Sequence, residues 1–305
     1  MSSSSFPLLR LPSLALREII EQIELKEQFN LSLCSKRMHL IVKHYRDKST
    51  IFLKLFSMGE DVGVSFFKER SSEDEVTIKI KADVKGVPYN WNSRKQFRRT
   101  ELLIDHLCDL FRARVRKVIV KNNKIWMLDI VEERQGAFSY DAEVWNFRYG
   151  HNDEKLRHIL LDLNPKSLDI HQQASDQFRI ENFHKKFEKL TISPATWMTD
   201  ENLCQLDCVE LEIHRYLSST EINRYLKHVL SGGAPRLKEF RADVQSANED
   251  VMLDGIRELL TGSERVIDEH GNRHLNGKVA RGEGLVLVSV RCSRFGIVNL
   301  EIQDA

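Results

Sequence analysis

Three-residue runs of the form apolar, polar, apolar recur along the second half of the chain. Leu168, Asp169 and Ile170 are followed by Leu190, Thr191 and Ile192, then by Leu211, Glu212 and Ile213, at steps of 22 and 21 residues; Phe240, Arg241 and Ala242 come 29 further on. Alternation of this kind marks a half-buried strand. The last gap holds a helix with both ends written in the sequence. Ser218 and Glu221 form a capping box, Ile222, Tyr225, Leu226 and Val229 share one face, and Gly232, Gly233 and Pro235 stop it. The order is strand, helix, strand.

Steps of that length fit the ~20 to 29 residue period of leucine-rich repeats, in which each unit is a strand with a returning helix. The spacing is irregular and lacks a strict asparagine ladder, so an ordinary α/β sheet stays open beside a leucine-rich-repeat-like domain. Towards the end the period lapses. RVIDEHGNRHL predicts a β-hairpin around His270, Gly271 and Asn272, Val286, Val288 and Val290 alternate with Leu285, Leu287, Ser289 and Arg291 in a strand, and Leu300 and Ile302 supply a last edge strand that caps the sheet. Upstream, Val76, Ile78, Ile80 and Ala82 alternate with Thr77, Lys79 and Lys81; SSEDE before them reads as a solvated loop, and Lys85, Gly86, Val87 and Pro88 as a turn. Thr100 is expected to open a helix with Leu103, Leu107, Leu110 and Phe111 on one face, and VRKVIV to form the strand after it.

The N-terminal stretch, residues 6–46, is rich in apolar side chains for so short a segment. After Leu11 and Pro12, Leu16, Ile19, Ile20 and Ile23 lie on one helical face. Phe29, Leu31 and Leu33 sit on a second short helix, and after Ser35 a third places Met38, Ile41, Val42 and Tyr45 together. Leu8, Leu9, Leu14, Leu25, Leu31, Leu33 and Leu40 are more than a three-helix cluster this small can enclose, so an apolar face is expected to be left for a partner or for the rest of the chain.

The order Leu11, Pro12, Ile19, Ile20, Ile23, then Leu31 to Arg37 (LSLCSKR) and Leu40, resembles the F-box. That resemblance implies docking on the Skp-type adaptor of a cullin-RING ubiquitin ligase. Leu8, Leu11, Pro12, Leu16, Ile19, Ile20, Leu31, Cys34 and Lys36 stand where the family's adaptor contacts cluster. The chain departs from the family at Leu14, where many members carry an acidic residue, and at Met38, where many carry an aromatic one. A second resemblance, carried by SSTEINRYLKHVLSGGAPRLKEFRADV and the hairpin after it, is to the type 2 F-box-associated domain of nematode F-box proteins. In that family this half of the chain is taken to select the protein to be ubiquitinated.

Charge and cysteine use narrow the function classes. Lys and Arg total 46 against 45 Asp and Glu, so no global field draws the chain to nucleic acid or a membrane. The basic stretches RKQFRR (94–99) and RARVRK (112–117) are local exceptions: Arg94, Arg98, Arg99, Arg114 and Arg116 could hold phosphates or an acidic target. Five scattered cysteines argue against a disulfide framework and for an intracellular, cytoplasmic or nuclear setting. Cys204, Cys208 and His214 lack a fourth ligand at zinc spacing, Gly282 and Gly284 are too short for a phosphate loop, and no nucleophile motif stands beside any of the 11 histidines.

These readings predict a disordered tip at 1–5, an F-box at 6–47 and a substrate-recognition domain at 48–305. The chain is expected to be a non-enzymatic substrate receptor without cofactor, metal or membrane span, joining a Skp-type adaptor and its cullin-RING ligase to a protein target. The competing reading is a scaffold that holds protein or nucleic acid through the two basic stretches.

Overall fold

The computed structural model describes residues 8–69, 75–81, 89–121, 124–136, 139–145, 152–244, 248–270, 272–281, 284–293 and 296–304. The N-terminal tip, most of SSEDE and the turn at 85–88 lie outside them. The chain divides into two compact units, Met1–Ile119 and Val120–Ala305.

The first unit begins with three helices of ten residues each, α1 (Ser13–Gln22), α2 (Leu25–Cys34) and α3 (Lys36–Tyr45). They are followed by β1 (Ile51–Met58), β2 (Asp61–Lys68), β3 (Val76–Ile80), the long helix α4 (Tyr89–Phe111) and β4 (Arg114–Lys121), within which the division falls. β1 pairs antiparallel with β2 and parallel with β4, and β2 pairs antiparallel with β3. Residues paired across strands point to the same face. Leu53, Phe66 and Val115 therefore share a face with Leu55, Val64 and Val118, all of them buried. Phe111 of α4 stacks on Phe66 at 5.7 Å between ring centroids, which puts α4 on that face.

One expectation fails here. Thr100 does not open α4. The helix starts at Tyr89 and Thr100 lies buried in its interior, because the basic lead-in is helical and Gln96 ties it to the sheet, donating to the carbonyls of Glu60 (2.8 Å) and Ile80 (3.3 Å). A polar residue inside a basic stretch is a satisfied buried amide in the fold. The strands β1 and β2, in turn, had no counterpart in the sequence reading.

The second unit contains α5 (Trp126–Gln135), β5 (Asp141–Trp145), α6 (Asp153–Leu161), β6 (Ser167–His171), β7 (Lys186–Ser193), α7 (Asp200–Gln205), β8 (Asp207–Leu217), α8 (Ser219–Leu230), β9 (Glu239–Val244), α9 (Glu249–Met252), β10 (Thr261–Ile267), β11 (Arg273–Arg281), β12 (Gly284–Cys292) and β13 (Ile297–Asp304). Strands β5 to β9 run parallel in sequence order. Their register sets the recurring triads side by side: Leu168 pairs with Leu190, Leu190 with Leu211 and Leu211 with Phe240. The apolar members on either side of each polar one are buried.

The C-terminal strands join this ladder in an unexpected order. β13, expected at the edge, lies between β9 and β12, with Leu300 opposite Phe240, and β10 is the outer strand of the β10–β11 hairpin. Val298, Leu300 and Ile302 extend the buried face of β9, whereas all seven residues of β10 are exposed. The strand with apolar alternation takes the interior position, and the polar one takes the edge.

The capping box at α8 forms as read. Ser218 Oγ accepts from the Glu221 amide at 3.2 Å, and Glu221 Oε2 accepts from the Ser218 amide at 2.7 Å. Gly232 ends the helix region at φ +88, a conformation that favours glycine. Replacement of Ser218 by Ala removes one of these two bonds and is expected to lower stability by about 1 kcal/mol, read as a lower urea midpoint at unchanged slope.

Candidate docking surface

Three short helices cannot stabilise themselves, and in this chain they lean on α4 and β2 of their own unit. Ile20, Met38 and Val42 form their centre, at 0, 5 and 0 % exposure. The turn between α1 and α2 is closed by the buried Gln28 amide, which donates to the carbonyls of Ile20 (3.1 Å) and Ile23 (3.0 Å). Ser35 caps α3, accepting from the Met38 amide at 3.1 Å. Phe29 packs on Phe66 at 5.6 Å and edge-on against His106 at 5.7 Å.

A row of polar ties fixes α3 to the last turns of α4. His39 meets Asp109 at 2.7 Å, Lys43 pairs with the same carboxylate, and Arg46 Nε donates to the carbonyl of Leu110 at 2.6 Å. A cation at that carbonyl also suits the negative end of the helix. Residues 39, 43 and 46 share one helical face, as do 106, 109 and 110. Ser32 Oγ lies 2.6 Å from the Phe29 carbonyl and 2.8 Å from His106 Nε2. The hydroxyl's single proton goes to the carbonyl, so His106 Nε2 carries its own proton and donates.

Burial and the nearness of His39 hold His106 below its ordinary pKa of 6.5, and Asp109 is held below the usual carboxylate range by Lys43 and then His39. A histidine with a lowered folded pKa stabilises the fold above its unfolded value and loses that contribution as pH falls through 6.5. The stability advantage of the native chain over His106→Gln is therefore expected to shrink between about pH 7 and about pH 5, measured as the difference in thermal midpoints.

Four leucines of this region stay open to solvent. Leu14, Leu33 and Leu40 are 67, 59 and 63 % exposed, and Leu9 is 39 % exposed. Leu33 and Leu40 border a cavity of about 590 Å³, lined also by Ser32, Ser35, Lys36, His39, His106 and Asp109.

Comparison with known families fits these helices. A family model described as "F-box domain" matches residues 8–50. The chain carries an F-box. A second model, described as "F-box associated", matches residues 176–242, from before β7 into β9, and the pairing of the two is typical of nematode F-box proteins. No curated protein matches the chain.

Of the residues assigned to adaptor contact, the F-box exposes Pro12, Cys34 and Lys36, and half-buries Leu8, Leu11, Ile19 and Leu31. Leu16 and Ile20 are interior, at 7 and 0 % exposure. They hold the helices together in the free chain. In sequence the exposed leucines 14, 33 and 40 stand out only as surplus, and no local signal connects His106 and Asp109, outside the F-box, to it.

The two basic stretches are not brought together. Arg94, Arg98 and Arg99 are exposed on α4, with Arg98 paired to Glu101 at 2.6 Å. Arg114 and Arg116 are exposed on β4, and Arg114 points to the face of the sheet opposite α4. Among the described residues no group of three or more His, Cys, Asp or Glu side chains could hold a metal ion. Cys208 is buried, which pushes its thiol up to about 12. No described helix is long and apolar enough to cross a membrane.

Proposed function

We propose that the chain is the substrate-recognition subunit of a Skp-cullin-F-box ubiquitin ligase. The observation that carries this reading is the apolar rim of Leu33 and Leu40 left open on the F-box, beside the polar ties that already pack it on α4. These leucines, with Leu9 and Leu14 and the exposed Pro12, Cys34 and Lys36, form the adaptor contact; Leu8, Leu11, Ile19 and Leu31 support it from half-buried positions.

The exposed parts of these four leucines, at about 1.5 to 3 kcal/mol for a whole side chain, give roughly 3 to 7 kcal/mol, which with the half-buried Leu8, Leu11, Ile19 and Leu31 enters the range of an association cost of about 4 to 15 kcal/mol. The surface is adequate for a specific complex without being large. The ties from His39, Lys43 and Arg46 to α4 give the docked F-box a fixed orientation to the rest of its unit. A target held there sits near an activated ubiquitin at raised effective concentration, and the chain needs no catalytic group of its own.

The test is co-expression of the full chain with a Skp-type adaptor. A stoichiometric complex on gel filtration is expected. Failure of the two folded proteins to associate at micromolar concentration removes the proposal.

A further inference from the structure

The face of the first unit's sheet that α4 leaves uncovered has a composition of its own. Phe52 pairs with Phe67 and Arg114, Lys54 with Ser65 and Lys117, and Phe56 with Gly63. Thr77 and Lys79 of β3 continue the same face, opposite Ser65 and Gly63. A bulge in the β1–β4 register, between Leu53 and Lys54, shifts the phase of β4: Val115 lies opposite Leu53 but Lys117 opposite Lys54. Without that extra residue Lys117 would point to the buried side, so the bulge gathers Arg114, Arg116 and Lys117 on one surface. Lys54, Lys79, Arg114, Arg116 and Lys117 stand against three carboxylates of the same phase among the described residues, Asp61 beside the β1–β2 turn, Glu69 just after β2 and Glu75 just ahead of β3.

The aromatic rings serve as seats for these cations. The Arg116 guanidinium lies 5.2 Å from the centre of Phe52, and Lys54 Nζ lies 5.7 Å from that of Phe56. Phe56 itself rests over Gly63, where an added Cβ would stand 2.6 and 2.8 Å from two of its ring carbons, so only glycine leaves room for it. Cation–π contact orders the long side chains in advance, which lowers the entropy lost on binding an anion.

We propose that this face docks an extended acidic segment of the target protein, carboxylate- or phosphate-bearing. The inference rests on the target-recognition role proposed above. An extended chain presents every second side chain to one face, so alternating acidic residues lay a row of anions across Lys54, Arg114, Arg116 and Lys117, where charge-assisted hydrogen bonds form. Single-stranded nucleic acid fits less well, because stacking needs open aromatic faces and two of the rings here carry cations.

Fluorescence anisotropy with the full chain tests this. The probes are labelled twelve-residue peptides of alternating Ser and Glu, the same peptide with phosphoserine, an alternating Ser and Lys peptide, and an oligothymidylate of equal charge. Both acidic peptides are expected to bind and to weaken with added salt, and Arg114→Glu with Arg116→Glu to lower their affinity roughly tenfold or more. Arg94→Glu with Arg98→Glu, on α4, is expected to leave it unchanged. No binding of either acidic peptide at low salt, tighter binding of the oligonucleotide, or an unaffected double variant at β4 overturns the assignment. Adaptor capture is measured on the same proteins: it should survive the β4 substitutions, and its loss there, signalling general damage, also overturns the assignment. A native chain that binds acidic peptide but captures no adaptor overturns the ligase reading alone.

Discussion

Leu33→Asp and Leu40→Asp are each expected to reduce adaptor capture by the full chain at least about thirtyfold, the effect of losing a central interface residue worth about 2 kcal/mol or more. Both side chains are more than half exposed, so an aspartate at either position stays hydrated in the free protein and leaves thermal unfolding nearly unchanged. In the complex the same carboxylate would be buried without a partner. Ile20→Asp gives a different result. Ile20 has no exposed surface, and a charge there is expected to cost more than about 4 kcal/mol and unfold the three helices. Loss of binding in that variant therefore says nothing about contact. Pull-down and circular dichroism melts on all three separate the cases: undiminished capture by the Leu33→Asp, Leu40→Asp double variant would remove the docking surface.

Sequence periodicity located the buried faces of α1, α3, α4 and α8, because helical burial repeats within a few residues. It also set the register of the parallel strands: the step between triads is local information, and Leu168, Leu190, Leu211 and Phe240 pair as neighbours. What sequence left open was always non-local. Ile20 and Leu33 are alike as residue types, and the helices that face α4 rather than a partner are chosen by His106 and Asp109, over 60 positions downstream. β1 was missed because Phe52 and Phe56 sit on the uncovered face beside Leu53 and Leu55 on the buried one, which blurs the alternation of hydrophobicity into a continuous run. The place of β13 depended on which strand could extend the buried face of β9, a comparison between segments over 50 residues apart. The basic stretches were visible as charge, yet only the bulge in β4 decides which of those cations share a surface.

Phe240→Ala is expected to be the most destabilising single truncation in the second unit, at about 3 to 5 kcal/mol. Phe240 is 1 % exposed, its ring lies 4.5 Å from that of Tyr225 on α8, and its strand neighbours in register are Leu211 on one side and Leu300 on the other. Removing the ring deletes buried apolar area, opens a cavity and ends an aromatic contact worth about 0.5 to 1.5 kcal/mol of that total. The next residue supplies the control. Arg241 points to the opposite face and is half exposed, with one ion pair to Glu212 at 3.5 Å, so Arg241→Ala is expected to cost about 0.5 kcal/mol or less. Because Phe240 is the rung where the parallel strands meet the antiparallel C-terminal block, amide exchange should quicken in β8 and in β13 together. A urea midpoint shift equal to that of Arg241→Ala, or faster exchange confined to one of the two strands, would mean that β13 does not sit beside β9.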